Sequence, residues 1–212
     1  VTQVGHFRTE VGIFVPDRVY DIGAFVKGVA FVCADRGKDD PAVRRGVIDP
    51  LMVAGYRVVA LDPRGWGESE PILPGADPPY SWEDFFAYRG AETGRPLLGQ
   101  RIKDLLASAS NRRGHLQWLV AGVGAGALVA AHAAALDQRI SRLVAVGGPI
   151  SFRSLANDPM TKHPFSTFLP GVVGEYDIHD VYATLAPREV FVLNPQNSRG
   201  QLATRHEVEE EF

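Results

Sequence analysis

The chain has 212 residues, enough for one sizeable domain with its own hydrophobic core, and no linker divides it. Its 22 lysines and arginines are scattered and nearly balanced by 25 acidic residues, for a formal net charge of −3. This distribution predicts neither nucleic acid nor an anionic membrane as a partner. No apolar run approaches the roughly 20 residues that a membrane-spanning helix needs.

The start of the sequence and its cysteine content give expectations about localisation and disulfide bonds. The sequence begins at Val1 without a methionine or a signal-like segment, so we expect a mature or excised piece whose localisation is unknown. Cys33 is the one cysteine, which excludes an internal disulfide. Because it lies in an apolar run, a buried structural role is favoured over catalysis.

The first quarter of the chain predicts an entry hairpin followed by a strand and a helix. Short apolar alternations in 6–20 are broken by glycine and proline, as in a pair of antiparallel edge strands. Residues 27–34 form a continuous apolar run, typical of a strand covered on both faces. The exit loop 35–38 is polar, and Asp40 with Pro41 then predicts a helix that continues to about residue 54.

A second strand and two helices are predicted next. The strand 57–61 ends in a turn-rich loop, 62–69, with the sequence DPRGWGES. The segment 72–80 is rich in proline and glycine, which predicts a surface loop. Ser81 predicts a helix cap, and the apolar spacing in 95–110 predicts an amphipathic helix.

The central stretch 116–136, LQWLVAGVGAGALVAAHAAAL, predicts an apolar strand, a glycine-packed turn and an alanine-rich helix. This is the shape of a nucleophile elbow, in which G-x-S-x-G holds a nucleophile in a strained strand-to-helix turn. The flanking glycines are Gly122 and Gly126. The nucleophile position is Gly124, which has no side chain to attack with, so the architecture points to a hydrolase while the chemistry points away from one.

Two other interpretations of these glycines stay open. Gly122, Gly124 and Ala127 match the G-x-G-x-x-A form of a dinucleotide loop, where a phosphate would find free N–H groups at the helix start. Against this, the unit follows two earlier strands, and no acidic residue ends the next strand. The glycines can also serve close helix-on-strand packing alone. We prefer that packing role, in a hydrolase elbow that has lost its nucleophile, and place dinucleotide binding second.

The remaining chain continues the alternation of strands and helices. Residues 140–146 predict a buried strand, and 152–181 form an irregular, cap-like stretch where hydrolases carry substrate-covering insertions. A strand at 189–193 and an acidic helix start at 204–212 follow, with no final strand after them. The pattern predicts one α/β domain over 1–212 with a three-layer, doubly wound and mostly parallel sheet.

The whole chain resembles bacterial acetyl xylan esterase-like α/β-hydrolases. The similarity is carried by VVALDPRGWGES, GRPLLGQR, GVGAGALVAAHAAALDQRI and LAPREVFVLNP. It implies the α/β-hydrolase fold lacking its last strand, and a lineage of esterases acting on acetylated polysaccharide. In several multidomain members a second hydrolase-like domain lacks a complete triad, and this chain is similar to such a domain. An extracellular or periplasmic location is suggested by the resemblance only.

Family roles carried over by position leave the triad empty. The nucleophile falls on Gly124 and the acid on Asn197, an amide that cannot stabilise an imidazolium by charge. The histidine would follow the missing last strand. Two backbone N–H groups of an oxyanion hole would remain, one from Ala125 and one from the loop 35–38, with Arg36 as its candidate. The resemblance therefore implies a non-catalytic or very weakly active domain.

The alternative is an active serine esterase on acetylated polysaccharide or small esters with a nonstandard nucleophile, for which Ser69 and Ser151 are the candidates. Expected partners are a catalytic esterase domain of the same polypeptide or a second copy of this chain. Neither nucleic acid, a membrane nor a cofactor is expected. A missing last strand would leave a sheet edge unpaired and open to another chain.

The segment 175–180, EYDIHD, is the one group of histidine and carboxylates close in sequence. The spacing of Asp177 and His179 suits a divalent metal, but a helix N-terminus capped by Asp177 is the favoured interpretation, and no metal is expected. His132 is predicted to be a satisfied core histidine. The histidines predicted to be solvated are His6, His115 and His206.

Overall fold

The computed structural model describes residues 2–21, 23, 26–71, 81–112 and 117–211. The predicted loop 72–80 and His115 lie outside these residues. Among the helices described, none is long and apolar enough to cross a membrane.

The described residues contain seven strands: β1 (Thr2–Glu10), β2 (Ile13–Tyr20), β3 (Gly28–Ala34), β4 (Tyr56–Leu61), β5 (Gln117–Val123), β6 (Ile140–Val146) and β7 (Glu189–Leu193). They form one sheet in the order β1-β2-β4-β3-β5-β6-β7. The pairs β1–β2 and β2–β4 are antiparallel, and all other neighbours are parallel. The predicted mostly parallel sheet is confirmed.

Helices cover both faces of this sheet. They are α1 (Pro41–Val43), α2 (Asp49–Val53), α3 (Trp82–Glu92), α4 (Leu97–Ser110), α5 (Gly126–Leu136), α6 (Phe152–Asn157), α7 (Ile178–Ala183) and α8 (Arg205–Glu211). Helices α4, α5 and α7 contribute to one apolar cluster, and the segment from α1 to α2 contributes to a second cluster on the opposite face. The three-layer arrangement follows from these two cores.

Strand β3 shows why its sequence is apolar throughout. Successive side chains of a strand point to opposite faces of the sheet. Phe31 and Cys33 enter the first cluster, whereas Ala30 and Val32 enter the second, and every residue of β3 is buried. A strand between two helical layers has no solvated face, so it shows no polar alternation.

Two expectations from the first quarter of the chain need correction. The entry hairpin does not supply two edge strands, because β2 lies between β1 and β4 and only β1 is at the edge. The helix predicted from Pro41 to about residue 54 is interrupted by a π-helical turn, Arg44–Ile48. Pro50 has no N–H and its ring would clash with the carbonyl four residues earlier, which accounts for the widened turn before it.

The C-terminal part also differs in detail from expectation. The stretch 152–181 is less irregular than predicted, since it contains α6, α7 and a 3₁₀ turn at Phe165–Thr167. In the described part of the chain, β7 has no neighbour on its outer side. Phe191 and Leu193 of this strand are 48% and 47% exposed. Within the described residues the sheet therefore ends at β7, a strand with two exposed apolar side chains.

Candidate functional site

The elbow forms where β5 passes into α5. Gly124 has a φ of +60°, in the left-handed region that favours glycine, and donates its backbone N–H to the Val146 carbonyl at 2.9 Å. Ala125 returns to the right-handed region, and α5 begins at Gly126. Position 124 therefore lies at the tip of a tight strand-to-helix turn, the geometry of a nucleophile elbow.

The two flanking glycines allow close packing of α5 on the sheet. A Cβ on Gly122 would overlap the Gly126 carbonyl and lie 2.6 Å from Ala127 Cα, and a Cβ on Gly126 would lie 2.5 Å from the Cys33 carbonyl oxygen. Cys33 is fully buried, and burial raises the pKa of its thiol to about 12. A thiol that stays protonated is a poor nucleophile, so the predicted structural role fits its surroundings.

The space that a nucleophilic side chain would take at position 124 is filled by the carboxylate of Asp35. A Cβ on Gly124 would lie 2.5 Å from Asp35 Cγ and 2.7 Å from Oδ1, and it would overlap Oδ2. Oδ2 accepts the backbone N–H of Ala125 at 2.8 Å. Asp35 directly follows β3, and β3 pairs with β5, so adjacent strand ends bring the two positions together.

Asp35 has an unusual electrostatic environment. Burial raises the pKa of its carboxyl above the ordinary value, and the Ala125 N–H opposes this only in part. The charge of Glu83 raises this pKa further, whereas the charge and the backbone N–H of Arg36 lower it. Both residues predicted to supply oxyanion-hole N–H groups, Ala125 and Arg36, thus act on the carboxylate of Asp35.

A cavity of about 890 Å³ opens beside Asp35. Its walls include Trp66, Trp82 and Phe86. Glu83 also reaches the lining, so the cavity combines aromatic surface with acidic groups. Its volume is within the range usual for small-molecule sites.

Four arginines also line the cavity, and three of them have carboxylate partners. Arg64 contacts Asp104 at 2.5 Å and Glu10 at 2.9 Å, and the other two pairs are Arg95–Glu10 and Arg89–Glu92, both at 2.8 Å. Arg36 is exposed and forms no ion pair within the described ranges. The lining therefore carries one guanidinium whose charge no contacting carboxylate balances.

A buried network holds the loop 62–69 beside the cavity. Asp62 is 1% exposed and accepts the backbone N–H of Lys38 at 2.6 Å, its Nζ at 3.0 Å, and the Glu68 N–H at 2.9 Å. Burial opposes the charge of Lys38, but hydrogen bonds to Glu68 and Asp62 outweigh it and raise the pKa of this ammonium. Asp62 thus braces the loop.

The Trp66 side chain in the cavity wall is held in place by contacts with Arg101 and Glu83. The fully buried Arg101 stacks on the Trp66 ring, with its guanidinium carbon 3.9 Å from the ring centroid. Arg101 Nη1 donates to Glu83 at 2.7 Å and to Ser166 at 3.1 Å, and Trp66 Nε1 donates to the same Glu83 at 3.1 Å. These contacts hold the indole and the carboxylate in a fixed relation.

The two candidate replacement nucleophiles have structural hydrogen bonds. Ser69 lines the cavity, but its Oγ donates to the Asp62 backbone carbonyl at 2.9 Å. Ser151 is fully buried, donates to Asp177 Oδ2 at 2.8 Å and accepts the Ser154 N–H at 3.1 Å as the cap of α6. The Ser69 proton is held by a backbone carbonyl, which is not a base that could activate it for attack. The Ser151 hydroxyl does donate to a carboxylate, but its complete burial keeps it out of reach of a substrate.

Asn197, the residue at the acid position, organises its own turn. Its Oδ1 accepts the N–H groups of Arg199 and Gln201, both at 3.1 Å, and its Nδ2 donates to Glu207 at 3.1 Å. His163 Nε2 lies 2.9 Å from the Asn197 backbone oxygen, so that contact involves the main chain and not the amide side chain. The structure does not bring Asn197 into contact with Gly124 or Asp35.

Asp177 and His132 have the structural roles that the sequence analysis favoured for them. Asp177 caps α7 in a capping box with Asp180, and no group of three metal-ligating side chains occurs among the residues described. His132 is buried, with Nδ1 2.8 Å from the Leu128 carbonyl and Nε2 3.1 Å from Tyr176 Oη. Burial lowers its pKa, as for a neutral core histidine.

Sequence reasoning missed the side chain of Asp35. It treated the loop 35–38 as a source of a backbone N–H and did not consider the carboxylate. The available signal was indirect: an acidic residue directly follows β3, and a glycine without a side chain stands at the end of β5. Only the adjacency of these two strands, which the hydrolase resemblance implies, links them.

The sheet order and the elbow define an α/β-hydrolase fold, and solved structures agree. A candidate acetyl xylan esterase from Bacteroides fragilis superposes with a TM-score of 0.67 at 16% identity, covering 90% of this chain and 58% of that one. An esterase from Pyrococcus furiosus gives a TM-score of 0.64 at 19% identity, covering 99% and 75%. This chain therefore has the α/β-hydrolase fold.

Sequence comparison points to hydrolases over a shorter region. A 2-hydroxy-6-oxononadienedioate/2-hydroxy-6-oxononatrienedioate hydrolase from Cupriavidus pinatubonensis is 31% identical over 101 residues. This alignment covers 48% of the present chain and only 28% of that relative. No protein-family model matches the chain.

Proposed function

We propose that this chain is an α/β-hydrolase-fold domain of acetyl xylan esterase type that does not hydrolyse esters through a serine nucleophile. One observation carries the proposal: the Asp35 carboxylate fills the space of a side chain at Gly124 and accepts the Ala125 N–H. Without a hydroxyl at the elbow no acyl-enzyme forms there. A carboxylate on that N–H also repels the developing oxyanion that the N–H would stabilise.

The esterase lineage rests on two supports. The candidate acetyl xylan esterase and the archaeal esterase share the fold over at least 90% of this chain. Two of the four sequence segments quoted for the family resemblance lie at the elbow and at the loop 62–69, both of which border the site. Acetylated polysaccharide is accordingly the substrate class that we propose for the ancestral site.

The dinucleotide interpretation of the elbow is less compatible with this arrangement. A phosphate at the start of α5 would need free N–H groups and a favourable helix dipole. The N–H of Ala125 already binds Asp35 Oδ2, and a phosphate there would meet a carboxylate of the same sign.

A role beside another protein unit is part of the proposal. With no nucleophile at the elbow, the domain acts as a structural or carbohydrate-associated partner of a catalytic esterase domain, or associates with a second copy. The open edge of β7, with Phe191 and Leu193 exposed, supports an association of this kind.

Hydrolysis of p-nitrophenyl acetate tests the proposal. We expect the rate with the unmodified chain to equal the buffer rate, and Ser69→Ala and Ser151→Ala to leave it unchanged. Turnover above buffer that disappears in either serine variant would overturn the proposal and establish the alternative esterase. Because Ser151 is buried, urea unfolding must show that its variant is folded at the assay temperature.

A further inference from the structure

The cavity lining carries the carboxylate of Asp35, which contacts no basic side chain among the described residues, although the charges of Arg36 and Arg101 act on it from a distance. Asp35 lines the cavity, and its hydrogen-bond partners are the backbone N–H groups of Ala125 and Arg36. In the described part of the chain it forms no ion pair. A carboxylate removed from water without a cationic partner is poorly stabilised, so a ligand that brings a positively charged donor gains a strong contact.

The walls beside this carboxylate suit a flat apolar group. Trp66 is held by Arg101 and Glu83, and Trp82 packs against Phe86 with ring centroids 6.2 Å apart. Aromatic faces attract cations as well as apolar surface. The same walls therefore accept both an apolar body and the methylene groups next to a charged nitrogen.

The other charged side chains of the cavity lining differ in their ion pairing and in their exposure to solvent. Glu83 adds negative potential near Asp35, although its carboxylate is paired with Arg101. The side chains of Arg89 and Arg95 are 64% and 58% exposed, which places these charges toward solvent. The lining thus carries acidic groups at Asp35 and Glu83 and solvent-exposed basic groups at Arg89 and Arg95.

We infer that this cavity binds small organic amines, with the ammonium group donating to Asp35 and an apolar or aromatic body lying against Trp82 and Phe86. The inference rests on the proposed function, because Asp35 holds this place only where position 124 has no nucleophile.

Isothermal titration of the full chain with 2-phenylethylamine tests the inference, with 3-phenylpropionate as the probe of opposite charge. We expect saturable binding of the amine and weaker binding of the acid. Asp35→Asn keeps the shape and the acceptor for Ala125 but removes the charge, so it should weaken amine binding on the order of tenfold to a hundredfold. Asp39→Asn changes an exposed aspartate outside the cavity lining and should change affinity by less than about twofold.

Three results would overturn the inference: no saturable amine binding, equal amine affinity in Asp35→Asn, or tighter binding of the acid. The urea midpoint of Asp35→Asn confirms that the variant is folded. Failure here is distinct from failure of the proposed function, because a chain that binds no amine and hydrolyses no ester leaves that proposal standing. Serine-dependent ester turnover would remove the proposed function whatever the titration shows.

Discussion

Asp35 and Asp62 follow neighbouring parallel strands, yet their carboxylates have opposite surroundings. Asp62 is buried against the Lys38 ammonium at 3.0 Å and accepts further backbone N–H groups. Asp35 accepts hydrogen bonds from backbone N–H groups, contacts no cation among the described residues, and borders a cavity. A carboxylate with its charge matched by a buried cation braces the fold, whereas one with unmatched charge is available to a ligand.

The largest expected effect is the loss of stability when Asp62, the carboxylate that is paired with a buried cation, is replaced. Asp62→Asn removes the buried partner of Lys38, whose side chain has no exposed surface. Asp62 is the one buried carboxylate among the three that contact Lys38, since Glu68 and Asp39 are 52% and 47% exposed, so its loss leaves a buried ammonium with only solvent-exposed partners. We expect unfolding in urea to show a loss of roughly 3 kcal/mol.

The matched control is Asp39→Asn. Asp39 also contacts Lys38, at 3.2 Å, but its side chain is 47% exposed. We expect a loss of about 1 kcal/mol or less. Equal losses in the two variants would show that burial does not distinguish the ion pair of Lys38 with Asp62 from its ion pair with Asp39.

A smaller effect on stability should arise because Asp35 and a side chain at position 124 would occupy the same space. Gly124→Ala adds a methyl group against the Asp35 carboxylate and also meets the intrinsic cost of a left-handed conformation, about 1–2 kcal/mol. In an Asp35→Ala background only the conformational cost remains. We expect the double-mutant cycle to give a coupling energy on the order of 1 kcal/mol or more.

Gly94→Ala separates the conformational cost from the steric one. Gly94 has a φ of +67°, and nothing lies within 4 Å of a Cβ placed there. Its variant should lose about as much stability as Gly124→Ala does in the Asp35→Ala background. A coupling energy near zero in the cycle would contradict the shared-space description.

The smallest effect concerns the charge of Asp35 itself. Its pKa is raised in the folded protein, chiefly by burial, so between the ordinary value of 3.8 and the raised one the folded state binds more protons than the unfolded state. The stability of the unmodified chain therefore falls as pH rises through that window. The stability of Asp35→Asn should not show this fall, because the variant has no carboxyl to titrate at this position.

Urea unfolding of both proteins from about pH 3 to 7 measures the difference. We expect the stability of Asp35→Asn relative to the unmodified chain to increase with pH, by about 1 kcal/mol or less. A relative stability that is constant or decreases over this range would show that the carboxylate is as well stabilised when folded as in water.

Much of the fold could be predicted from the sequence because its signals are local. The unbroken apolar run of β3 indicates a strand covered on both faces, and Asp40 with Pro41 marks a helix start. The widened turn before Pro50 was missed, since apolar spacing does not show which backbone hydrogen bonds a proline prevents.

From the sequence, the site could be predicted only as an elbow without a nucleophile. Gly124 shows directly that no nucleophile stands at the elbow, since this follows from one residue in a local pattern. The contact of Asp35 with Gly124 spans 89 positions and exists because β3 and β5 are neighbours. No periodicity or spacing along the chain encodes such a contact, so it required the three-dimensional structure.

The overlap of Asp35 with a side chain at position 124 also limits what a single substitution can do at the elbow. A serine at 124 and the present position of Asp35 exclude each other. A change at position 124 alone therefore meets an occupied space. Serine chemistry at this elbow requires at least two coordinated changes, one at position 124 and one at Asp35.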